Sequence, residues 1–246
     1  MDSAQLLTSD VRRAEPALHR RTAMACEAAS AAGVPGRFRT WGEAGLLAVL
    51  ATDPALGYLS TVTGVTRETL PGVAGFAHSP GWAGVTPTVV APAGLPVPGL
   101  VPAGERVLAV KRLSPASATL PGQVDEDTFV RVLLAGFEVH GAVAAFMAAE
   151  HRLPIMRRFL AREGETPIAA AGMTIHDDVA VLGAASTLPA HRGRGAQPEL
   201  LRRRLEVAAA EGCTLAVATA RPQSPSAANL GRAGFQLHRR TAWTKP

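Results

Sequence analysis

Apolar positions along the chain fall in short blocks separated by Gly, Pro and Asp, and their spacing predicts alternating helices and strands. The alanine-rich, arginine-studded stretch Val11 to Ala32 predicts a helix closed by Gly33, Pro35 and Gly36. The run Gly45 to Leu50 predicts a short helix ended by Asp53 and Pro54, and Gly57 to Val65 predicts a strand. From Pro71 to Gly104, Pro and Gly supply 14 of 34 residues, which leaves room only for short elements such as a strand at Thr86 to Val90. A further strand is predicted at Arg106 to Val110.

Beyond this zone the pattern is cleaner. Asp125 to about Leu153 predicts one helix, opened by the acidic trio Asp125, Glu126 and Asp127 and ended or bent by Pro154. Pro167 to Ile175 and Val179 to Ser186, separated by His176-Asp177-Asp178, predict an antiparallel hairpin. A helix from Pro198 to Glu211, stopped by Gly212, and a strand from Thr214 to Thr219 follow. The leucines Leu201 and Leu205 place one helix face on the sheet, so at least two of Arg202, Arg203 and Arg204 are expected in solvent.

Composition narrows the class. With 246 residues, 47% hydrophobic and 18% charged, the chain can build a sizeable core and is not intrinsically disordered. The net charge is +5, and 23 of the 25 basic residues are arginine, with only Lys111 and Lys245 as lysines. Nucleic-acid binding is not expected, because no helix-turn-helix, zinc-finger or aromatic RNA-binding pattern accompanies the charge and aromatics are only 4%. Cys26 and Cys213 are far apart with no His or Cys at metal spacing, so no disulfide framework and no metal site are expected. The opening residues lack a signal-peptide layout and no 18-residue apolar span is present, so a cytoplasmic protein without a membrane partner is expected.

The stretch Ser186-Thr-Leu-Pro-Ala-His-Arg-Gly-Arg-Gly-Ala-Gln-Pro-Glu carries the chemistry. A strand ends at Leu188, a turn holds Gly193 and Gly195, and Pro198 sits in the first turn of a helix. Successive N–H groups in such a turn, backed by a helix N-terminus, make an anion site suited to phosphate, with Arg192 and Arg194 at its rim. The spacing is neither that of a nucleotide P-loop nor that of a dinucleotide fold.

Arg192-Gly193-Arg194-Gly195-Ala196-Gln197 resembles the acyl-CoA motif of the GCN5-related N-acetyltransferases, Arg/Gln-x-x-Gly-x-Gly/Ala. Ser224 to Phe235, with Asn229 and the pair Gly234-Phe235, resembles the second signature of that family. The resemblance runs from about Asp125 to the end. It implies a GNAT fold of the α/β (α+β) class, with a central mixed, mostly antiparallel sheet flanked by helices. Residues 121–246 would form the acyl-CoA-binding domain, and residues 1–120 a divergent, possibly GNAT-like half that shapes the acceptor pocket. It further implies a CoA site at Thr187, Leu188, Arg192, Gly193, Arg194, Gly195, Ala196, Gln197 and Asn229, acetyl-CoA or another acyl-CoA as co-substrate, and direct attack by a small-molecule amine. A backbone N–H near Thr187 and Leu188 would polarise the thioester carbonyl.

The chain departs from the family at two points. Gln197 replaces the last Gly/Ala of the loop, so its side chain must turn away from the pyrophosphate or contact it. Leu230 occupies the position where many members carry a tyrosine that protonates the leaving thiolate. Tyr58, the only tyrosine, Ser224, Ser226 or water are the substitutes. Candidate bases are Glu138, His140, Glu150 and His151, because strand Val179 to Ser186 holds no carboxylate. Two alternatives stay open: an acyl group delivered on the pantetheine of an acidic carrier protein, or a non-catalytic CoA-binding regulatory module.

Overall fold

The computed structural model of the protein describes residues 3–117, 122 and 124–246. The expected boundary at residue 120 lies outside them. The chain opens with helix α1 (Ser3–Ala31), followed by strands β1 (Phe38–Glu43) and β2 (Leu46–Ala51), a 3-10 turn (Pro54–Leu59), and β3 (Thr61–Thr63). Helix α2 (Leu70–Ala77) leads to β4 (Thr88–Pro92) and β5 (Val101–Arg112). Then come α3 (Glu126–Phe137), α4 (Gly141–His151), β6 (Arg157–Glu163), β7 (Thr166–His176) and β8 (Val179–Thr187). Helix α5 (Ala196–Ala210), β9 (Leu215–Ala220), α6 (Pro225–Arg232) and β10 (Gln236–Thr244) complete it.

The ten strands form one sheet in the order β1-β2-β3-β4-β10-β5-β9-β8-β7-β6. Every pair is antiparallel except β3–β4 and β8–β9. The pairing sequence β1-β2-β3-α2-β4 thus repeats as β6-β7-β8-α5-β9. Alternate residues of the strands feed two cores. Ala14 and Ala17 of α1 pack on Val110, Val179, Val181 and Val217 on one face, while Leu200, Leu201 and Val207 of α5 pack on Ala180, Leu182 and Ala216 on the other. The N-terminal strands bury Leu46, Ala48, Val62 and Val89 against Val73 and Phe76 of α2.

The hairpin β7–β8, helices α1 and α5, and strand β9 lie where the periodicity predicts them. Thr86 to Val90 and the Tyr58 to Val65 region do pair, as β4 and the short β3. Four expectations change. Gly45 to Leu50 is strand β2 rather than a helix: six continuous apolar residues carry no period that separates a buried strand from a helix, and pairing with β1 decides it. Residues 54–59 coil into a 3-10 turn, capped by Asp53 Oδ1 accepting from Ala55 N at 2.9 Å, and this shortens the strand expected over Gly57 to Val65. The helix expected over Asp125 to Leu153 is broken at Glu138, which adopts the left-handed conformation at φ 56°. Of Arg202, Arg203 and Arg204, at least two of which are expected in solvent, only Arg202 is exposed, while Arg203 is half-buried and Arg204 buried.

The break after α3 has a packing cause. A Cβ on Gly136 would stand 2.4 Å from Ser186 Oγ, so the helix end is pressed against the C-terminal end of β8. Ser186 Oγ donates to Leu133 O at 2.8 Å and Arg192 Nη2 donates to Gly136 O at 3.0 Å. The second bond satisfies the Gly136 carbonyl, one of the last four of α3 that have no partner within the helix.

Candidate active site

At the end of β8, Leu188 N donates to Ile168 O, a short 3-10 turn (Pro189–His191) follows, and the chain swings into α5. Gly193 (φ 79°) and Gly195 (φ 83°) occupy left-handed conformations that glycine adopts without strain. No hydrogen bond within the described residues engages the N–H groups of Gly193, Arg194, Gly195, Ala196 or Gln197. These free donors at the head of α5 combine with the helix dipole into a site for an anion.

The side chains around this loop are turned outward and paired. Arg192 donates to Thr187 O at 3.3 Å and to Glu138 Oε2 at 2.8 Å, in addition to Gly136 O. Arg194 donates to both carboxylate oxygens of Glu163 at 3.3 Å and to Ala190 O at 3.2 Å, and His191 Nδ1 meets Glu163 Oε2 at 3.1 Å. Gln197 Nε2 donates to Ser186 O at 2.8 Å and Thr187 Oγ1 at 3.0 Å, so its side chain points back at β8 and leaves the loop's N–H groups clear. Asn229, half-buried on α6, accepts from Arg232 at its Oδ1. Leu230 beside it is buried in the core below α5, and Ser224 is occupied in capping α6 at Ala227 N.

Strands β8 and β9 diverge just before the loop. Their parallel pairing covers Val179↔Leu215, Ala180↔Ala216 and Val181↔Val217, and stops there, although β8 runs on to Thr187 and β9 to Ala220. On the other edge of β8, the register with β7 slips at the same level: Gly172 faces Gly183 and Ala171 faces Ala185, which leaves Ala184 (φ 38°) as a bulged residue. The bulge falls where the β8–β9 pairing has ended, so the two strands run unpaired from the bulge towards the anion loop.

On the α1 side the bulge is lined by ionisable groups. Arg21 Nη1 donates to Val181 O at 3.0 Å and Arg21 Nε to Glu150 Oε1 at 2.8 Å. Burial alone would push the Glu150 carboxyl up, but the charge of the Arg21 guanidinium, with that of His151 and the Arg21 hydrogen bond, outweighs it and holds Glu150 below the usual carboxylate range. His151 is fully buried; burial keeps its imidazole below the usual range, Nδ1 donates to Met147 O at 2.7 Å, and Nε2 faces Gly172 with no partner. Tyr58, half-exposed on the first 3-10 turn, lies close enough for Glu150 to raise its phenol further after burial has done so. Of the expected catalytic residues, then, Tyr58 stands beside Glu150. Glu138 is exposed and paired with Arg192 at the loop, and His140 is an exposed cap of α4 with no side-chain bond to that helix.

Two features limit the chemistry. Burial pushes the thiols of Cys26 and Cys213 up to about 12 and about 11, far from the thiolate a nucleophile needs. The N-terminal counterpart of the anion loop, between β3 and α2, spends its own donors: Thr69 Oγ1 accepts from Thr66 N, and Thr66 Oγ1 accepts from Glu68 N and Thr69 N. Among the described residues no group of three or more His, Cys, Asp or Glu could hold a metal ion, and no helix is long and apolar enough to cross a membrane.

Strand, bulge and glycine loop fall within the segment matched by a family model. Residues 129–235 match the acetyltransferase (GNAT) family. That segment, 107 of the 246 residues, is similar to the GCN5-related N-acetyltransferases. No curated protein matches the chain in sequence. Among solved structures it is similar to a GCN5-related N-acetyltransferase from Kribbella flavida (17% identity, 89% of this chain and 95% of that chain, TM-score 0.58). It is also similar to one from Sphaerobacter thermophilus (16%, 85% and 75%, TM-score 0.56) and to a GNAT-family acetyltransferase from Colwellia psychrerythraea (14%, 85% and 85%, TM-score 0.53). At these identities the likeness is one of fold, and it extends over both the matched GNAT segment and the N-terminal elements.

Strand β6 and the role of Arg21 escape sequence reasoning. Arg21 carries no local signal, since it is one of many arginines on an alanine-rich helix and its partners lie 129 and 160 residues away.

Proposed function

We propose that the protein is an N-acyltransferase that moves an acyl group, acetyl in the simplest case, from a CoA thioester to the amine of a small molecule. The observation that carries this reading is the set of free N–H groups at the head of α5, next to the unpaired ends of β8 and β9. The loop donors would hold the pyrophosphate, and the unpaired strand ends would take the pantetheine arm between Thr187 and the end of β9. The thioester carbonyl would then lie against the bulge, where a strand N–H polarises it as charge develops on its oxygen.

The amine attacks the carbonyl directly. Its ammonium proton must leave first, and Glu150, ionised and turned toward the bulge by Arg21, is the favoured acceptor, through water where the amine is out of direct reach. Tyr58, pushed up and therefore protonated at neutral pH, fits the part of the acid that protonates the departing thiolate, in place of the residue that Leu230 replaces. The N-terminal half reads as a degenerate copy of the βββαβ unit. It keeps the strand pairing, gives its loop donors to its own threonines, and supplies Tyr58 and α1 to the acceptor side. A CoA donor also accords with a cytoplasmic setting.

The test is thiol release from acetyl-CoA and longer acyl-CoAs in the presence of a panel of primary amines, with acyl-carrier protein as an alternative donor in parallel. Amine-dependent release of free CoA supports the reading. CoA binding with no release on any amine returns the protein to a regulatory role, and preference for the carrier-bound donor reassigns the donor alone.

A further inference from the structure

We propose that Arg21, on the N-terminal helix, is a positioning residue for acyl transfer: with Arg204 it locks the bulge of β8 from opposite faces of the sheet, and it sets Glu150 beside that bulge. The inference rests on the acyltransferase reading and deepens it, because it makes the extra N-terminal half part of the reaction geometry rather than a neighbour of it.

A bulge breaks the ladder and leaves strand carbonyls short of partners. Two main-chain carbonyls near this one are taken by guanidinium groups. Val181 O accepts from Arg21 Nη1 at 3.0 Å on the α1 side. Gly172 O, on the residue facing Gly183, accepts from Arg204 Nη1 at 3.3 Å on the α5 side, while Arg204 Nε donates to Leu200 O at 3.2 Å. Both side chains are buried, Arg21 at 7% and Arg204 at 4% exposure. Arg204 has only main-chain carbonyls as partners among the described residues. Burying a cation without a carboxylate is costly, so these carbonyls must be worth holding.

The glycines at this level make the room. A Cβ on Gly183 would stand 2.5 Å from the Arg21 guanidinium carbon, so any larger residue there would expel the side chain from the strand. Next in the chain is Ala184, whose positive φ costs about 1–2 kcal/mol for a residue other than glycine and persists only if its surroundings hold it. The groups facing Glu150 are Arg21 and Cys26 from α1, Tyr58 from the 3-10 turn and His151 from its own helix, with Arg204 acting on Arg21 from the far face. Arg21 is the only one of these that donates a hydrogen bond to the Glu150 carboxylate.

The test compares wild type with R21M, R204M and R21M/E150Q, the last keeping the site neutral should R21M alone fold poorly. Three quantities are measured: the Kd for CoA, the pH profile of kcat/KM, and hydrogen exchange of the 182–187 amides. In R21M and R204M, kcat is expected to fall about 10²-fold while the Kd for CoA stays within about 3-fold, since a misplacement of about 1 Å costs that much in rate and little in phosphate binding. The acid limb of the profile moves to higher pH in R21M and stays in place in R204M, because Arg21, and not Arg204, bonds and stabilises the ionised Glu150. Exchange at 182–187 rises about 10-fold in both single variants with α2 unaffected. Unchanged exchange overturns the lock, and an unmoved acid limb in R21M, or kcat within about 3-fold of wild type in the double variant, overturns the positioning role. A wild type that binds CoA but acylates no amine sinks the acyltransferase reading and the positioning role with it, and exchange then judges the bulge lock separately.

Discussion

If the loop N–H groups bind pyrophosphate, a negative charge placed among them must compete with it. Gly195 is the position to use, because it caps α5 at φ 83° and a Cβ there meets nothing within 4 Å. Replacing it with Asp and, separately, with Asn gives two side chains of one shape that tolerate the left-handed conformation and differ only in charge. Each carries the same backbone cost, about 1 kcal/mol, partly offset by capping. At about 5 Å, with an effective dielectric of about 20, one carboxylate and one phosphate charge repel by about 3 kcal/mol. Gly195→Asp is therefore expected to bind CoA about 10²-fold more weakly than Gly195→Asn, and the gap should narrow as salt rises from 50 to about 500 mM. Titration calorimetry gives the ratio, and acyl-pantetheine, which lacks the pyrophosphate, serves as the control with an expected ratio near one. If the two variants bind CoA within about 3-fold of each other, the loop is not the phosphate site.

Other outcomes follow from the same geometry. Calorimetric titration should give one CoA per chain, because the β3–α2 loop spends its N–H groups on Thr66 and Thr69; two sites would contradict this. Gly136→Ala forces a methyl to 2.4 Å from Ser186 Oγ and is expected to cost about 1–3 kcal/mol, read as a lower Tm, whereas an unchanged Tm means α3 is not pressed on β8. The lowered carboxyl of Glu150 contributes stability that is present at neutral pH and is lost as pH falls below its ordinary 4.5. Acid unfolding of Glu150→Gln should therefore be shallower than that of wild type, and identical curves would count against the buried pair. Iodoacetamide at pH 8 should neither label Cys26 and Cys213 nor inactivate the native protein, and a trapped acyl-cysteine would overturn direct attack.

The sequence was most legible where function depends on the backbone. Gly193 and Gly195 alone would suit an ordinary turn, but they could be read as a loop that turns N–H groups into one concavity because a strand precedes them, a helix follows, and the second signature with Gly234-Phe235 stands downstream in order. The hairpin was readable from two apolar runs around an Asp-containing turn. What could not be read was set by distant contacts. The continuous apolar block at Leu46–Ala51 suits a strand or a helix equally until β1 lies beside it. The break at Glu138 comes from β8 meeting Gly136, and nothing within the helix sequence itself demands it. Glu150 could be listed as a candidate base, but so could three neighbours, and only the arrival of Arg21 from α1 singles it out.

The same contacts explain why arginine so outnumbers lysine at the working end of this molecule. Composition alone allows the excess to be genomic bias or a docking charge. Yet Arg21, Arg192 and Arg204 each use two or more N–H groups at once, and each takes at least one main-chain carbonyl. A lysine at any of these positions offers a single point charge on a flexible stem and cannot span two acceptors in a fixed plane. Arg192 bridges the end of β8 to the end of α3, Arg204 joins α5 to β7, and Arg21 joins α1 to both β8 and α4. Each of these joints lies on the path from the bulge to the anion loop. Conservative replacement by lysine is therefore expected to loosen the structure at all three, with Arg21 the most sensitive because in the proposed reaction it holds the buried carboxylate that takes the amine's proton.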